Sequence, residues 1–252
     1  MIRNINFVSK FKIANYISII FLILSIFFIF FKGLNYGIDF KGGTLIELRT
    51  DKTIKASSIR DSLNQIDLGD INVKRFGKDG DFLIKVEQKN TSDNDLISNL
   101  KKNLSDNLVN EVDFRRVESV GPKVSSELLE SSIIAISLAL AAMLFYIWVR
   151  FEWQFSVGAI VALFHDVILT LGVFSFLSLE INLSIVAAVL TIVGYSMNDT
   201  VVIYDRIREN LSKFNRLEID QVSNLSVNET LSRTLITSVT TLLALFSIFI
   251  LG

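Results

Sequence analysis

Five side chains able to bind, release or steer a proton lie within, or at the edge of, stretches that are otherwise almost entirely apolar: His165 and Asp166, Asn198 and Asp199, and Arg233. An ionisable group at the centre of a lipid layer costs about 2.5–3.5 kcal/mol on insertion scales, so each needs a physical account. For Asp199 there are two. Burial in a low-dielectric site favours the protonated acid, whereas a nearby guanidinium favours the carboxylate, so Arg233 approaching or withdrawing would switch Asp199 between loading and release. Alternatively, Asp199 stays protonated and hydrogen-bonded between helices, and serves packing only. Asn198 adjoins Asp199 and is counted with it in the proton pathway. Arg233 has its own alternative, in which the long side chain reaches out to the interface and holds lipid phosphate. His165 and Asp166 are helical neighbours about 100° apart and cannot both face one partner, so a packing pair and a relay are equally good readings. The small residues of Gly194-Tyr195-Ser196, one turn before Asp199, would let a neighbouring helix approach closely.

The composition narrows the chemistry. Half of the 252 residues are apolar, the formal charge is −1, and the chain has one His, one Pro and no Cys. Without clustered cations a nucleic-acid partner is not expected. Without thiols, and with a single imidazole, neither a metal centre nor a cofactor is expected. An intramembrane aspartic protease built on Asp166 and Asp199 is a further possibility, since two close carboxylates share a proton and activate water. The residues before Asp199 are Gly-Tyr-Ser-Met-Asn rather than the Gly-x-Gly of such proteases, and no Tyr precedes Asp166. No enzymatic activity is therefore expected.

These residues are positioned by apolar runs that are long enough to cross a membrane. Ile13 to Phe31 would be about 28 Å long as a helix, the thickness of a hydrocarbon core. It is too long for a signal-peptide core, and no small-residue cleavage site follows at Lys32-Gly33-Leu34. Four more runs pass the same test: Ser132 to Val149, Phe155 to Leu177, Leu183 to Tyr204, and Leu235 to Gly252. His165 then lies roughly 16 Å along the third span, near mid-bilayer. Arg3, Lys10, Lys12, Arg150, Arg206, Arg208, Lys213 and Arg216 flank the runs on one side, and the cation-free Ser178–Asn182 connection lies on the other. Positive flanks stay inside, which gives a cytoplasmic N-terminus and puts the polar insert outside.

That insert reads as alternating elements: strand Thr44–Thr50, helix Ser57–Ile66, strand Ile71–Phe76, a turn at Lys78-Asp79-Gly80, and strand Phe82–Val86. A helix then places Leu96, Leu100, Leu104 and Leu108 on one stripe, with Ser92 and Asp95 as a start signal, and strand Val112–Val120 closes the series. The order βαββαβ is the ferredoxin-like motif, a common fold that names no function. The expected fold class is an α-helical membrane bundle with an inserted α+β ferredoxin-like periplasmic domain. Residues 1–32 form the cytoplasmic N-terminus and first span, 33–130 the periplasmic domain, and 131–252 spans two to five.

The string Val193–Asn210, VGYSMNDTVVIYDRIREN, closely resembles the fourth-span signature of the SecF family of protein-export subunits. Tyr36–Thr44 (YGIDFKGGT) resembles the family's glycine-rich lead into its first periplasmic domain, and Val120–Val124 (VGPKV) its approach to the second span. His165-Asp166-Val167 and Arg233–Ser238 (RTLITS) resemble its third- and fifth-span blocks. The resemblance covers essentially the whole chain, in order and spacing. It implies six spans, of which five are present here. It also implies that the protein acts with SecD and the SecYEG channel, with YajC as a further partner, using proton flow to move preprotein substrate across the inner membrane. By position, Asp199 is similar to the family's proton-pathway aspartate and Arg233 to its partnering arginine. SecDF in turn resembles the RND exporters, so half of a proton-coupled lipid or solute exporter is the alternative, and a passive scaffold in the lipid is the third. In the DFKGG stretch the glycines would serve as a tight turn or as a hinge, and the turn is preferred.

Overall fold

A backbone in lipid must satisfy its own polar groups, and the apolar runs do so as helices. The computed structural model describes residues 5–51, 54–63, 71–86, 98, 102–105, 112–214 and 216–251. Five helices are long and apolar enough to cross a membrane. They are α1 (Phe11–Lys32, after a 3-10 turn at Val8–Lys10), α4 (Pro122–Arg150), α5 (Trp153–Leu177), α6 (Leu183–Lys213) and α7 (Ile219–Leu251). Three of them outrun their apolar stretches. α4 begins ten residues early at Pro122, a residue suited to the first helical position because its missing N–H has no intrahelical partner there. α6 continues beyond Tyr204 through its charged exit, and α7 starts at Ile219.

The chain divides into two units, one of Met1–Leu34, Ala139–Leu179 and Ala187–Gly252, the other of Asn35–Leu138 and Glu180–Val186. In the helical unit, Ile147 and Phe151 of α4 and its C-terminal turn, Ala159 and Leu163 of α5, and Val193 and Met197 of α6 form one buried cluster. Tyr204 leans on Phe155 and Phe151, with ring centroids 5.2 and 6.1 Å apart.

The second unit holds a four-stranded antiparallel sheet in the order β3 (Ile71–Arg75), β4 (Asp81–Val86), β2 (Gly43–Arg49), β5 (Asp113–Val120). Strand period 2 puts Ile46 and Leu48 of β2 and Phe82, Ile84 and Val86 of β4 on one face. Against them lie Ile59 and Leu63 from α3 (Ala56–Leu63), one helical turn apart, with Leu104 beside them. Each fully buried side chain of this kind contributes about 1.5–3 kcal/mol. Of the expected leucine stripe only Leu104 is described; Leu96, Leu100 and Leu108, and the start signal at Ser92 and Asp95, lie outside the described residues. The Lys78–Gly80 turn joins β3 to β4, with Phe76 N–H donating to Asp81 and Asp81 N–H to Lys78.

The Ser178–Asn182 connection does more than join spans. β1 (Asn35–Tyr36) pairs in parallel with β6 (Glu180–Ile181), and Gly37 N–H donates to Ile181 O at 2.9 Å. α2 (Ile38–Lys41) is a single turn closed by Gly42 at φ 76°, where an added Cβ would stand 3.3 Å from Val120 O. The preferred reading of DFKGG as a tight turn matches this geometry.

Truncating Leu63 to Ala is expected to destabilise the sheet unit by about 2–5 kcal/mol. Amide hydrogen exchange along β2 and β4 in the intact chain checks this, since protection there must fall while that of α5 is retained. A second outcome concerns pH. Arg49 donates to both Asp81 carboxylate oxygens, and this hydrogen bonding holds Asp81 below the usual carboxylate range. Because the folded value is depressed, the stabilisation is complete above about pH 4 and is lost as pH falls through the lowered value. The Asp81 carboxyl resonance followed by NMR should titrate below that of an Arg49→Ala chain.

Candidate functional site

Four polar side chains of the spans form a connected run in the helical unit. At mid-helix, Ser18 of α1 lies 2.5 Å from Nε2 of His165, and the other ring nitrogen, Nδ1, lies 3.0 Å from Asp166 Oδ1. Ser196 of α6 donates its hydroxyl to Asp166 Oδ2 at 2.5 Å. The roughly 100° offset between adjacent residues explains the layout: His165 reaches α1, Asp166 reaches α6, and the two meet side by side. One hydrogen-bonded run of four side chains therefore ties three helices together.

Asp199 follows Ser196 by three residues and Tyr195 by four, so all three share one side of α6. It is half-buried and makes no hydrogen bond or ion pair with any described residue. The Tyr195 hydroxyl faces Thr237, Ser238 and Thr241 of α7. It is nevertheless buried without a hydrogen bond of good geometry, as is the Thr234 hydroxyl. Arg233 and Asn198 are exposed. The structure thus gathers His165 and Asp166 into one cluster but does not join Asp199 to Arg233: among the described residues, no contact pairs the two.

The small residues of Gly194-Tyr195-Ser196 admit α5 at Ser196, which meets Asp166, but Gly194 itself is not a tight place. An added Cβ at Gly194 would meet only Met143 Cε at 3.9 Å, an ordinary contact. The tight places are Gly172, where it would lie 2.7 Å from Ser25 Cα of α1, and Gly158, where it would lie 2.6 Å from the Tyr204 hydroxyl. Beside Gly172, Ser175 donates to both Phe28 O and Gly33 O at 2.8 Å, and Lys32 Nζ donates to Phe176 O at 2.7 Å. α1 and α5 are held along their shared length by these bonds and by Ser18–His165.

A second set is built around Arg150, Arg206, Arg208 and Lys213, cations whose sequence positions served to orient the chain. Arg150 donates to both oxygens of Asp205 at 2.8 and 2.9 Å, joining α4 to α6. Arg206 bridges Glu209 of its own helix and Glu229 of α7, each at 2.6 Å. Asn210 donates to Glu229 Oε2 at 2.7 Å and to the buried Ser226 hydroxyl at 3.0 Å. The i,i+3 and i,i+4 spacing of Asp205, Arg206, Arg208, Glu209 and Lys213 was the signal available for this cluster. Asp39 was also missed as a structural group: Leu183 N–H, at the start of α6, donates to its Oδ2 at 2.9 Å, which puts a carboxylate at a helix N-terminus. Among the described residues, no group of three or more His, Asp or Glu side chains could hold a metal ion.

Replacing Gly172 with Leu would force a branched side chain into Ser25 and is expected to cost about 1–3 kcal/mol through overpacking. Thermal unfolding of the detergent-solubilised chain should then begin earlier, whereas Gly194→Ala, whose added Cβ meets only Met143, should change little.

Comparison with known proteins now fits this geometry. Residues 100–252 match the family described as protein export membrane protein SecD/SecF, C-terminal, and residues 27–54 match the SecD/SecF GG motif. The chain is 44% identical over 244 residues to the protein translocase subunit SecF of Rickettsia bellii, covering 96% of this chain and 80% of that protein. It is 42% identical to SecF of Vibrio alginolyticus, covering 99% of this chain and 80% of that one. The crystal structure of SecDF, a translocon-associated membrane protein from Thermus, superposes with a TM-score of 0.88 at 34% identity, over 98% of this chain and 34% of the larger SecDF chain. A SecDF structure in its super-membrane-facing form aligns with a TM-score of 0.65, covering 95% of this chain and 33% of that one. A family description that fits more than half of the sequence, and relatives above 40% identity along nearly all of it, place this chain in the SecF family of protein translocase subunits.

Proposed function

We propose that this chain is the SecF half of a proton-driven motor that works with SecD at the SecYEG channel, with YajC as an accessory, to promote translocation and release of preproteins on the periplasmic side. Its work is mechanical, with no covalent chemistry on the substrate. The carrying observation is Asp199, a carboxyl group half-buried in an apolar helix with no bonded partner among the described residues, beside the unsatisfied Tyr195 hydroxyl and the hydroxyl-bearing face of α7. A group fixed for packing would be expected to have its hydrogen bonds made, as Asp166 does. A group that must gain and lose a proton needs a site where neither form is permanently fastened.

The energetics support the reading. A membrane potential supplies about 2.3 kcal/mol per charge per 100 mV, and 1.4 kcal/mol is a tenfold change in an equilibrium. One proton per cycle through Asp199 would shift a two-state element more than tenfold. Arg233, exposed and without an ion pair among the described residues, is a cation free to approach or leave. The cation-rich flanks support a cytoplasmic N-terminus and a periplasmic sheet unit. The strand order β3-β4-β2-β5, with α3 connecting β2 to β3, supports a ferredoxin-like reading of that unit.

The test is preprotein transport into vesicles that hold this chain with SecD and the channel. Asp199→Asn is expected to remove the gradient-dependent part of transport at least about tenfold and to leave the gradient-independent part intact, and Arg233→Met should act in the same direction. Full gradient-driven transport by the Asp199→Asn chain would leave only a scaffold.

A further inference from the structure

The Ser18–His165–Asp166–Ser196 run is more than the motor reading requires, and its chemistry is specific. With Asp166 as the carboxylate, both its oxygens accept hydrogen bonds, one from the Ser196 hydroxyl and one from His165 Nδ1–H. That fixes the neutral imidazole as the Nδ1–H tautomer and turns the Nε2 lone pair toward the Ser18 hydroxyl. A serine hydroxyl both donates and accepts. If a proton adds at Nε2, the Ser18 oxygen rotates from donor to acceptor and no hydrogen bond in the run is lost. The imidazolium then faces the Asp166 carboxylate, so the pair as a whole becomes neutral, the form a low-dielectric layer tolerates best.

The ring also lines a groove. A groove of about 450 Å³ opens between α1 and α5, with Asn15, Ser18 and His165 among apolar walls that include Leu22, Ile160 and Phe164. Asn15 lies one turn from Ser18 toward the N-terminus of α1. The three polar groups give a water in the groove the two to four partners it needs. A pair that served packing alone would gain nothing from an open groove at its ring.

We propose that His165, held between Ser18 and Asp166 at the floor of this groove, is a second proton-binding site of the bundle, coupled through Ser196 to the turn of α6 that carries Asp199. The step is a reversible protonation: a proton from groove water bonds to the Nε2 lone pair and leaves again from the same atom. The groups facing His165 are few. Among the described residues, α5 supplies Asp166, the residues α1 places in the groove carry no charge, and α6 reaches the pair through Ser196 on Asp166, with Asp199 one turn beyond. An ionised Asp199 favours the imidazolium and a protonated Asp199 disfavours it, so filling one site weakens the other.

The inference rests on the motor reading but is tested separately. The chain contains a single His, so histidine labelled with nitrogen-15 reports His165 alone. Solid-state NMR of the whole chain, reconstituted with SecD in lipid vesicles, would be followed from about pH 8 to about pH 5. The expected result is an Nδ1–H neutral ring at the alkaline end and growing imidazolium toward the acid end. Asp166→Asn should shift the imidazolium-to-neutral ratio at fixed pH toward neutral about tenfold or more, and Asp199→Asn should shift it in the same direction by less. A single unchanging ring state across the range overturns the proposal, and so does a neutral ring protonated at Nε2. A titration indifferent to both substitutions overturns it too. Loss of gradient-driven transport in Asp199→Asn, together with a ring that never changes state, would leave the motor standing without this site.

Discussion

Polar groups inside a hydrocarbon layer must find partners on their own or neighbouring helices, and the arrangement of this bundle follows from how each one does so. Many hydroxyls turn back to a carbonyl four residues earlier in their own helix: Thr170 to Asp166, Thr191 to Ala187, Thr200 to Ser196, Thr230 to Ser226. Such bonds satisfy the group and link nothing. The few that cross between helices set the packing. Ser175 reaches two carbonyls at the end of α1, His165 reaches Ser18 of the same helix, and Asp166 receives Ser196 from α6. Each joins α5 to a neighbouring helix through part-buried groups, so α1, α5 and this stretch of α6 are linked side chain to side chain.

The seam between α6 and α7 at the level of Asp199 is built on the opposite plan. Tyr195 and Thr234 keep buried hydroxyls without partners, and Asp199 has none either. The apolar stretch of α7 contributes no buried residue to the bundle, whereas the corresponding stretches of α5 and α6 each bury about a sixth of theirs. Ser196 fastens α6 to α5, Tyr195 next to it faces α7 unsatisfied, and Asp199, one turn on, lies at the boundary between the two. The ionisable group proposed to change state thus borders the unsatisfied seam.

The contrast also explains what was legible in the sequence. Span number and rough position follow from run length alone, and strand alternation at Thr44–Thr50 and Phe82–Val86 shows directly because one face of the sheet is buried. Helix ends were misjudged wherever a helix left its apolar run: nothing in hydropathy distinguishes Pro122–Ser131 or Asp205–Lys213 from loop, since their stability comes from a helix start signal and from charge pairs spaced three and four apart. The glycines that admit a neighbour, Gly158 and Gly172, looked like any others because the small partner, Ser25, is 147 residues away from Gly172. Asp199 and Asp166 were both visible as costly carboxyl groups. Which of them was satisfied could not be read, because satisfaction depends on Ser196 and Ser18 facing inward, which is a property of helix rotation.

The charged ends of α6 and α7 bear on how Arg233 can reach Asp199. Arg206, Asn210 and Glu229 pin the two antiparallel helices together, and Asp199 lies seven residues from Arg206, or about 10 Å along the axis. Arg233 lies four residues from Glu229, about 6 Å along its own helix, so the two groups differ in level by roughly one turn. A guanidinium on three methylenes can span that difference by changing rotamer, without any slide of α7 along α6. A tilt of α7 by about 10° about the pinned end would move it only about 2 Å at the level of Asp199, enough to open or close the unsatisfied Tyr195 contacts and too little to break the ion cluster. In the proposed motor, an ionic hinge, an unsatisfied seam and a long cation one turn out of register would together make a two-position device, with the charge state of Asp199 deciding between the positions.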